Sequence, residues 1–285
     1  MFLTPLVVDF VAEMLGYPFM QRAFVAGVCV AVIAPLVGSF LVHRQLAMIG
    51  DTLAHTAFAG VAVGLFLSAT LGSPVSPALT ALVVAVLAAL LIQVLSEYTD
   101  VYNDVSMAIV LAGGFALGTV LISATSGGIA VSISQYLFGS LSTLTRGDVE
   151  LLVGVSVLVV GTVLLLYRKL VFVTFDESAA QIGGIDVRGV KRVLVVLTAL
   201  VVVGAMQMMG VILVAAMLVV PVAAATQLAR SFKESVLLAV VAAQVAVLAG
   251  TTLSYAYGLA AGGTIVLVAI AVYAAAASAK LVGAR

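Results

Sequence analysis

Asp51 and His55 are the residues of this chain best placed to do chemistry. Of the twelve acidic residues, eleven fall between apolar segments, at their ends or in the N-terminal stretch, and Asp51 alone sits within one. On insertion scales a carboxylate there costs at least about 2.5 to 3.5 kcal/mol, so its default role is that of a paired or functional group facing the interior of a helix bundle. His55, one of only two histidines, follows in Gly50-Asp51-Thr52-Leu53-Ala54-His55. Helical spacing puts both on one face, about 6 Å apart along the axis. A carboxylate oxygen and an imidazole nitrogen converging from one turn make a ligand pair that zinc, manganese and ferrous iron accept. Two ligands are too few for a closed site. Two copies of the chain across a two-fold axis would supply two Asp51 and two His55. The competing reading is that the pair only hydrogen-bonds internally, or to nearby Ser and Thr, and holds helices together. His43, beside Arg44, reads as an interfacial residue.

The elements that must position this pair are membrane helices. Hydrophobic residues make up 64% of 285 positions and charged residues 8%, a balance that no soluble domain of this length keeps in solution. A span needs about twenty mostly apolar residues. Cutting at charged or Gly/Pro/Ser-rich breaks predicts an all-α polytopic bundle of about nine spans. They run over Ala23–Val42, Leu46–Ala69, Pro77–Leu95, Val105–Ser123, Glu150–Tyr167, Val190–Gln207, Gly210–Leu228, Ser235–Ser254 and Gly263–Ala279. Eight remain possible, because Val190–Leu228 is one long apolar stretch broken only by Gln207 and Gly210. Residues 1–22 carry Asp9 and Glu13 and no basic start, so they read as an interfacial amphipathic segment ahead of a permease domain over 23–285. Ser126–Asp148 is expected to be an external, re-entrant loop.

Basic residues set the orientation. With the N-terminus outside, Arg44, Arg168, Lys169, Arg188, Lys191, Arg192, Arg230, Lys233, Lys280 and Arg285 are all cytoplasmic, and only Arg22 and Arg146 are external. Two cytoplasmic segments stand out. Asp176 and Glu177 open a run that reads as a short capped helix along the membrane surface. From Pro221, small residues Ala223, Ala224 and Ala225 lead through Thr226 and Gln227 to Arg230 and Ser231, a surface that lets a partner approach closely or simply packs helices.

Other chemistries are excluded or weak. Lys and Arg are scattered, which speaks against nucleic acid. Cys29 has no partner, and Met206, Met208 and Met209 read as packing rather than a soft-metal site. None of the glycine pairs precedes the Lys-Ser/Thr of a nucleotide-binding loop, so ATP hydrolysis would have to come from another subunit. An intramembrane hydrolase using Ser140 with His55 is disfavoured, because Ser140 falls in the external loop and His55 already has Asp51. A secondary metal/proton antiporter, with Asp51 titrating as the ion binds, remains an alternative, as does a purely structural subunit.

Several stretches resemble a known family, the integral membrane permeases of zinc, manganese and iron ABC importers (the ABC-3 family, the metal branch of the type II importers). They are Arg22-Ala23, Gly38-Ser39-Phe40-Leu41-Val42, Gly50 to His55, Tyr136-Leu137-Phe138-Gly139-Ser140-Leu141, Gly183-Gly184-Ile185-Asp186-Val187, and Gly210-Val211 leading to Val220-Pro221-Val222-Ala223-Ala224-Ala225. They span roughly residues 20 to 280 in order. Val222 stands where the related chelate and cobalamin permeases commonly have histidine, which favours bare metal. The resemblance implies a non-enzymatic permease in a prokaryotic cell membrane, a homodimer joined by two copies of a cytoplasmic ATP-binding subunit and fed by an extracellular metal-binding protein. It implies no permanent cofactor, only transported Zn2+ or Mn2+, with Fe2+ as a further candidate. It places Asp51 and His55 in the metal path and the stretch from Ala223 to Ser231 in a coupling helix that docks on the ATPase. Members of the family are often described with eight spans.

Overall fold

The computed structural model describes residues 13–98, 102–124, 139 and 144–283. Among these the fold is entirely helical: α1 (Pro18–His43), α2 (Ile49–Leu71), α3 (Pro77–Tyr98), α4 (Asn103–Ala124), α5 (Arg146–Phe175), α6 (Glu177–Ile182), α7 (Val187–Met209), α8 (Val211–Leu228), α9 (Phe232–Tyr257) and α10 (Ala261–Gly283). Each of the nine apolar segments expected from the sequence forms a helix. Eight of them are long and apolar enough to cross a membrane. The ninth, α8, has 18 residues and reaches about 27 Å.

Helix ends differ from the sequence reading where local chemistry outweighs hydropathy. Pro18 starts α1, its fixed φ suiting the first helical position, so the helix includes residues 18–22 that hydropathy assigned to the preceding segment. α5 does not stop at Tyr167. It runs for 30 residues, about 45 Å, carrying Arg168 and Lys169 past the bilayer edge until Asp176 interrupts it. Asp176 caps α6 by accepting from the Ala179 N–H, and Asp186 caps α7 by accepting from Gly189, which yields the expected short cytoplasmic helix. Most of Ser126–Asp148, including Ser140, lies outside the described residues.

The long apolar stretch is a hairpin. Gly210 adopts φ 83° and ψ 150°, a conformation open essentially to glycine alone, and α7 ends there while α8 begins. Contacts along α1 fix the directions. Gly27 faces Met208, Gly38 faces the Leu218 carbonyl, and Val42 packs near Val222 and Ala225. Hence α8 runs inward alongside α1, and α7 runs outward. α1 and α2 form the centre, α1 against α5, α7, α8 and α9, and α2 against α3, α4, α7 and α8. α4, α5 and α10 leave most of their surface exposed, as helices at a lipid boundary do. Met206, Met208 and Met209 are buried and act as packing.

Charges gather at the two ends. At one end Arg44 and Lys191 both pair with Glu177, and Lys280 donates to Gln227. At the other, Arg22 donates to the Leu144 carbonyl beside Arg146. The positive-inside rule makes the first end cytoplasmic.

Candidate metal site

α1 and α2 are joined by a tight turn at Arg44 and Gln45, the latter with φ 59°, and α2 starts at Ile49. Asp51 therefore stands in the first turn of α2, not at mid-helix. No side chain caps this end, and a carboxylate in the first turn interacts favourably with the free N–H groups and the positive end of the helix dipole. Depth follows from neighbours. Gly50 packs on Leu218 and Ala215, and Leu218 in turn faces Gly38, five residues short of the end of α1. Asp51 thus lies roughly 8 Å inside the cytoplasmic end of α1, and His55 about 6 Å deeper.

The imidazole is held in one tautomer. His55 Nδ1 lies 3.0 Å from the Asp51 main-chain carbonyl and 3.5 Å from Asp51 Oδ1. A carbonyl can only accept, so Nδ1 is the donor, and in the neutral ring Nε2 carries the lone pair. The internal hydrogen bond and the ligand role are therefore compatible: the first orients the ring for the second. Both side chains keep access to the surface of the chain, 37% for Asp51 and 24% for His55. Phe115 packs edge-on to His55 at 5.7 Å and stacks on Phe58, forming an aromatic wall.

That wall exists because α4 approaches α2 closely. A Cβ on Gly114 would collide with Thr56, and one on Gly118 would press on Phe58 and Ala59. The sequence reading passed over Gly114, Gly118 and Phe115. The signal was present as a small-xxx-small pair at helical spacing. The Thr52 and Thr56 hydroxyls donate to the main-chain carbonyls of Met48, just ahead of α2, and Leu53. Among the described residues no group of three His, Cys, Asp or Glu comes together, and Asp51 and His55 stand as a pair.

The second candidate region lies at the cytoplasmic end. Pro221 to Leu228 are the end of α8, Ala229 is extended, and Ser231 caps α9 by accepting from Glu234 while the Glu234 carboxylate accepts from the Arg230 N–H. The stretch is thus a helix end and a tight corner rather than a separate helix. Ala224 and Ala225 are buried; the Arg230 and Ser231 side chains face outward. A shallow cavity of about 260 Å3 beside it is lined by His43, Phe175, Thr226, Arg230 and Phe232 among others. His43 stacks edge-on to Phe175 and Phe232, a solid interfacial cluster. Arg44 donates to Glu177 at 3.2 Å and to the Val173 carbonyl. Burial lowers the Arg44 pKa, and the Glu177 carboxylate offsets part of that shift.

A family model described as ABC 3 transport family matches residues 16–280. The manganese transport system membrane protein MntC of Halalkalibacterium halodurans is 33% identical over 267 residues, which cover 93% of this chain and 88% of that one. The high-affinity zinc uptake system membrane protein ZnuB of Haemophilus influenzae is 28% identical over 246 residues, 86% of this chain and 91% of that one. Among solved structures, PsaBC from Streptococcus pneumoniae in complex with Fab matches with TM-score 0.83 and 29% identity, covering 95% of each chain.

Proposed function

Because the chain belongs to the ABC 3 transport family, as a multi-pass membrane permease, we propose that it is the membrane subunit of an ATP-driven importer for manganese or zinc in a prokaryotic cell membrane. One observation carries the metal assignment: the Asp51–His55 pair is oriented for ligation, reaches the surface and is two ligands short of a closed site. A second copy of the chain completes it with two carboxylates and two imidazoles. The names of the relatives, manganese for MntC and zinc for ZnuB, agree with what this donor set accepts, and ferrous iron is chemically admissible.

In this reading an extracellular metal-binding protein delivers the ion at the Arg22 end. The ion passes to the paired Asp51 and His55, whose exchangeable geometry lets it leave again. A cytoplasmic ATP-binding subunit engages the corner from Ala223 through Thr226 and Gln227 to Arg230 and Ser231. Its closure rocks two permease copies from outward- to inward-open, and the chain itself hydrolyses nothing.

The test is accumulation of radiolabelled manganese and zinc in cells lacking their own importers. Asp51→Ala and His55→Ala should abolish accumulation while the amount of permease in the membrane is unchanged. Normal uptake by both variants would sink the site. Uptake that survives ATP depletion but collapses with the proton gradient would return the chain to the antiporter reading.

A further inference from the structure

A second cavity, of about 280 Å3, lies between the cytoplasmic ends of α2, α3, α4 and α7, and neither Asp51 nor His55 lines it. Its polar side is formed by Arg44, Lys191, Gln93 and Ser96, and residues such as Ile49 and Ile92 make its apolar wall. Two cations line it, and the carboxylate they share, Glu177, stands outside and is 46% exposed. Among the described contacts the two cations share this one carboxylate, while Asp104 in the first turn of α4 and Asp186 at the start of α7 are further acidic groups on these helix ends. The Arg44 side chain is only 10% exposed, so water compensates its charge poorly. Arg188 and Arg192, exposed on the same end of α7, add to the field.

These observations select the ligand class. A divalent metal is repelled by two cations, which separates this cavity from the ion path. A phosphate can accept from the Lys191 ammonium, from the Arg44 N–H groups not taken by the Val173 carbonyl and Glu177, and from the Ser96 hydroxyl. The cavity lies at the helix ends that the positive-inside rule makes cytoplasmic, the side of the inner-leaflet headgroups. Arg44 ends α1 and Ser96 lies near the end of α3, and basic pockets between helices on this side bind anionic headgroups. The apolar wall suits the carbons that follow such a headgroup.

We propose that this cavity is a phosphate-anion site between the helices, filled by the headgroup of an anionic phospholipid or by free phosphate. Bound there, the anion ties together α1, α3 and α7 at the end where the ATP-binding subunit is expected. The site does not depend on the metal assignment, so the two fail separately.

The experiment is thermal denaturation of the purified full chain in neutral detergent with added phosphatidylglycerol, phosphatidylcholine or inorganic phosphate. Phosphatidylglycerol should raise the melting temperature well above the effect of phosphatidylcholine. Lys191→Gln should weaken that binding about fivefold, Ser96→Leu should obstruct it without changing charge, and Lys169→Gln, at the same end but outside the cavity, should match wild type. Protection by phosphatidylglycerol alone identifies the lipid headgroup; equal protection by inorganic phosphate with the same variant pattern identifies the free anion. If Lys191→Gln does not fold, Ser96→Leu still tests the cavity, since it leaves the Glu177 pairs intact. Indistinguishable lipids, or variants that bind like wild type, would overturn the proposal.

Discussion

At the scale of the residue, Asp51 and His55 illustrate how one main-chain carbonyl settles an imidazole's role. The Asp51 carbonyl engages Nδ1 at 3.0 Å, which leaves Nε2 for a metal. Replacing His55 by Gln keeps a polar side chain but loses the aromatic nitrogen and its ring packing on Phe115. Metal binding by the purified transporter should fall by about a hundredfold or more, measured by competition with a chromogenic chelator. Phe115→Ala removes only the wall, worth about 0.5 to 1.5 kcal/mol of ring packing. Its uptake should drop by no more than about tenfold, with metal preference unchanged.

At the scale of the element, close approach depends on glycine at a few named places. A Cβ on Gly38 would collide with the Leu218 carbonyl, and α8 cannot withdraw because Leu218 also supports Gly50 beside the site. Gly38→Val should therefore lower thermal stability by about 1 to 3 kcal/mol and reduce uptake along with it, read from melting curves and transport assays on the same preparation. The cytoplasmic corner behaves differently. Arg230 shapes it through its main-chain N–H, which donates to Glu234, while its side chain is exposed. Arg230→Glu should leave the fold and metal binding of the permease intact, yet weaken co-purification with the ATP-binding subunit or its metal-dependent ATP hydrolysis.

At the scale of the whole molecule, the proposed function gives each chain half a site, so stoichiometry is the decisive quantity. The assembled transporter should hold one metal ion per two permease chains, measured by elemental analysis. A covalently linked tandem of two permeases with Asp51→Ala in one copy should lose most of its uptake, whereas a self-sufficient site would retain about half. The Arg44–Glu177–Lys191 cluster joins the ends of α1 and α7 to α6.

Much of this was legible in the sequence because it is local. Nine apolar segments, the segregation of Lys and Arg, the cap at Asp176 and the pairing of Asp51 with His55 all follow from hydropathy, charge or helical spacing within a few residues. Helix ends were less legible, since hydropathy marks where lipid ends and not where hydrogen bonding does; α5 accordingly runs on to Phe175. Only the tertiary structure decided that the pair lies in the inner half of the bundle and that Phe115 walls it. Only the tertiary structure brought Arg44 and Glu177, 133 residues apart, into one ion pair. The physical reason is that close packing selects among many helix arrangements that one hydropathy pattern permits, and that selection rests on contacts between residues far apart in the chain.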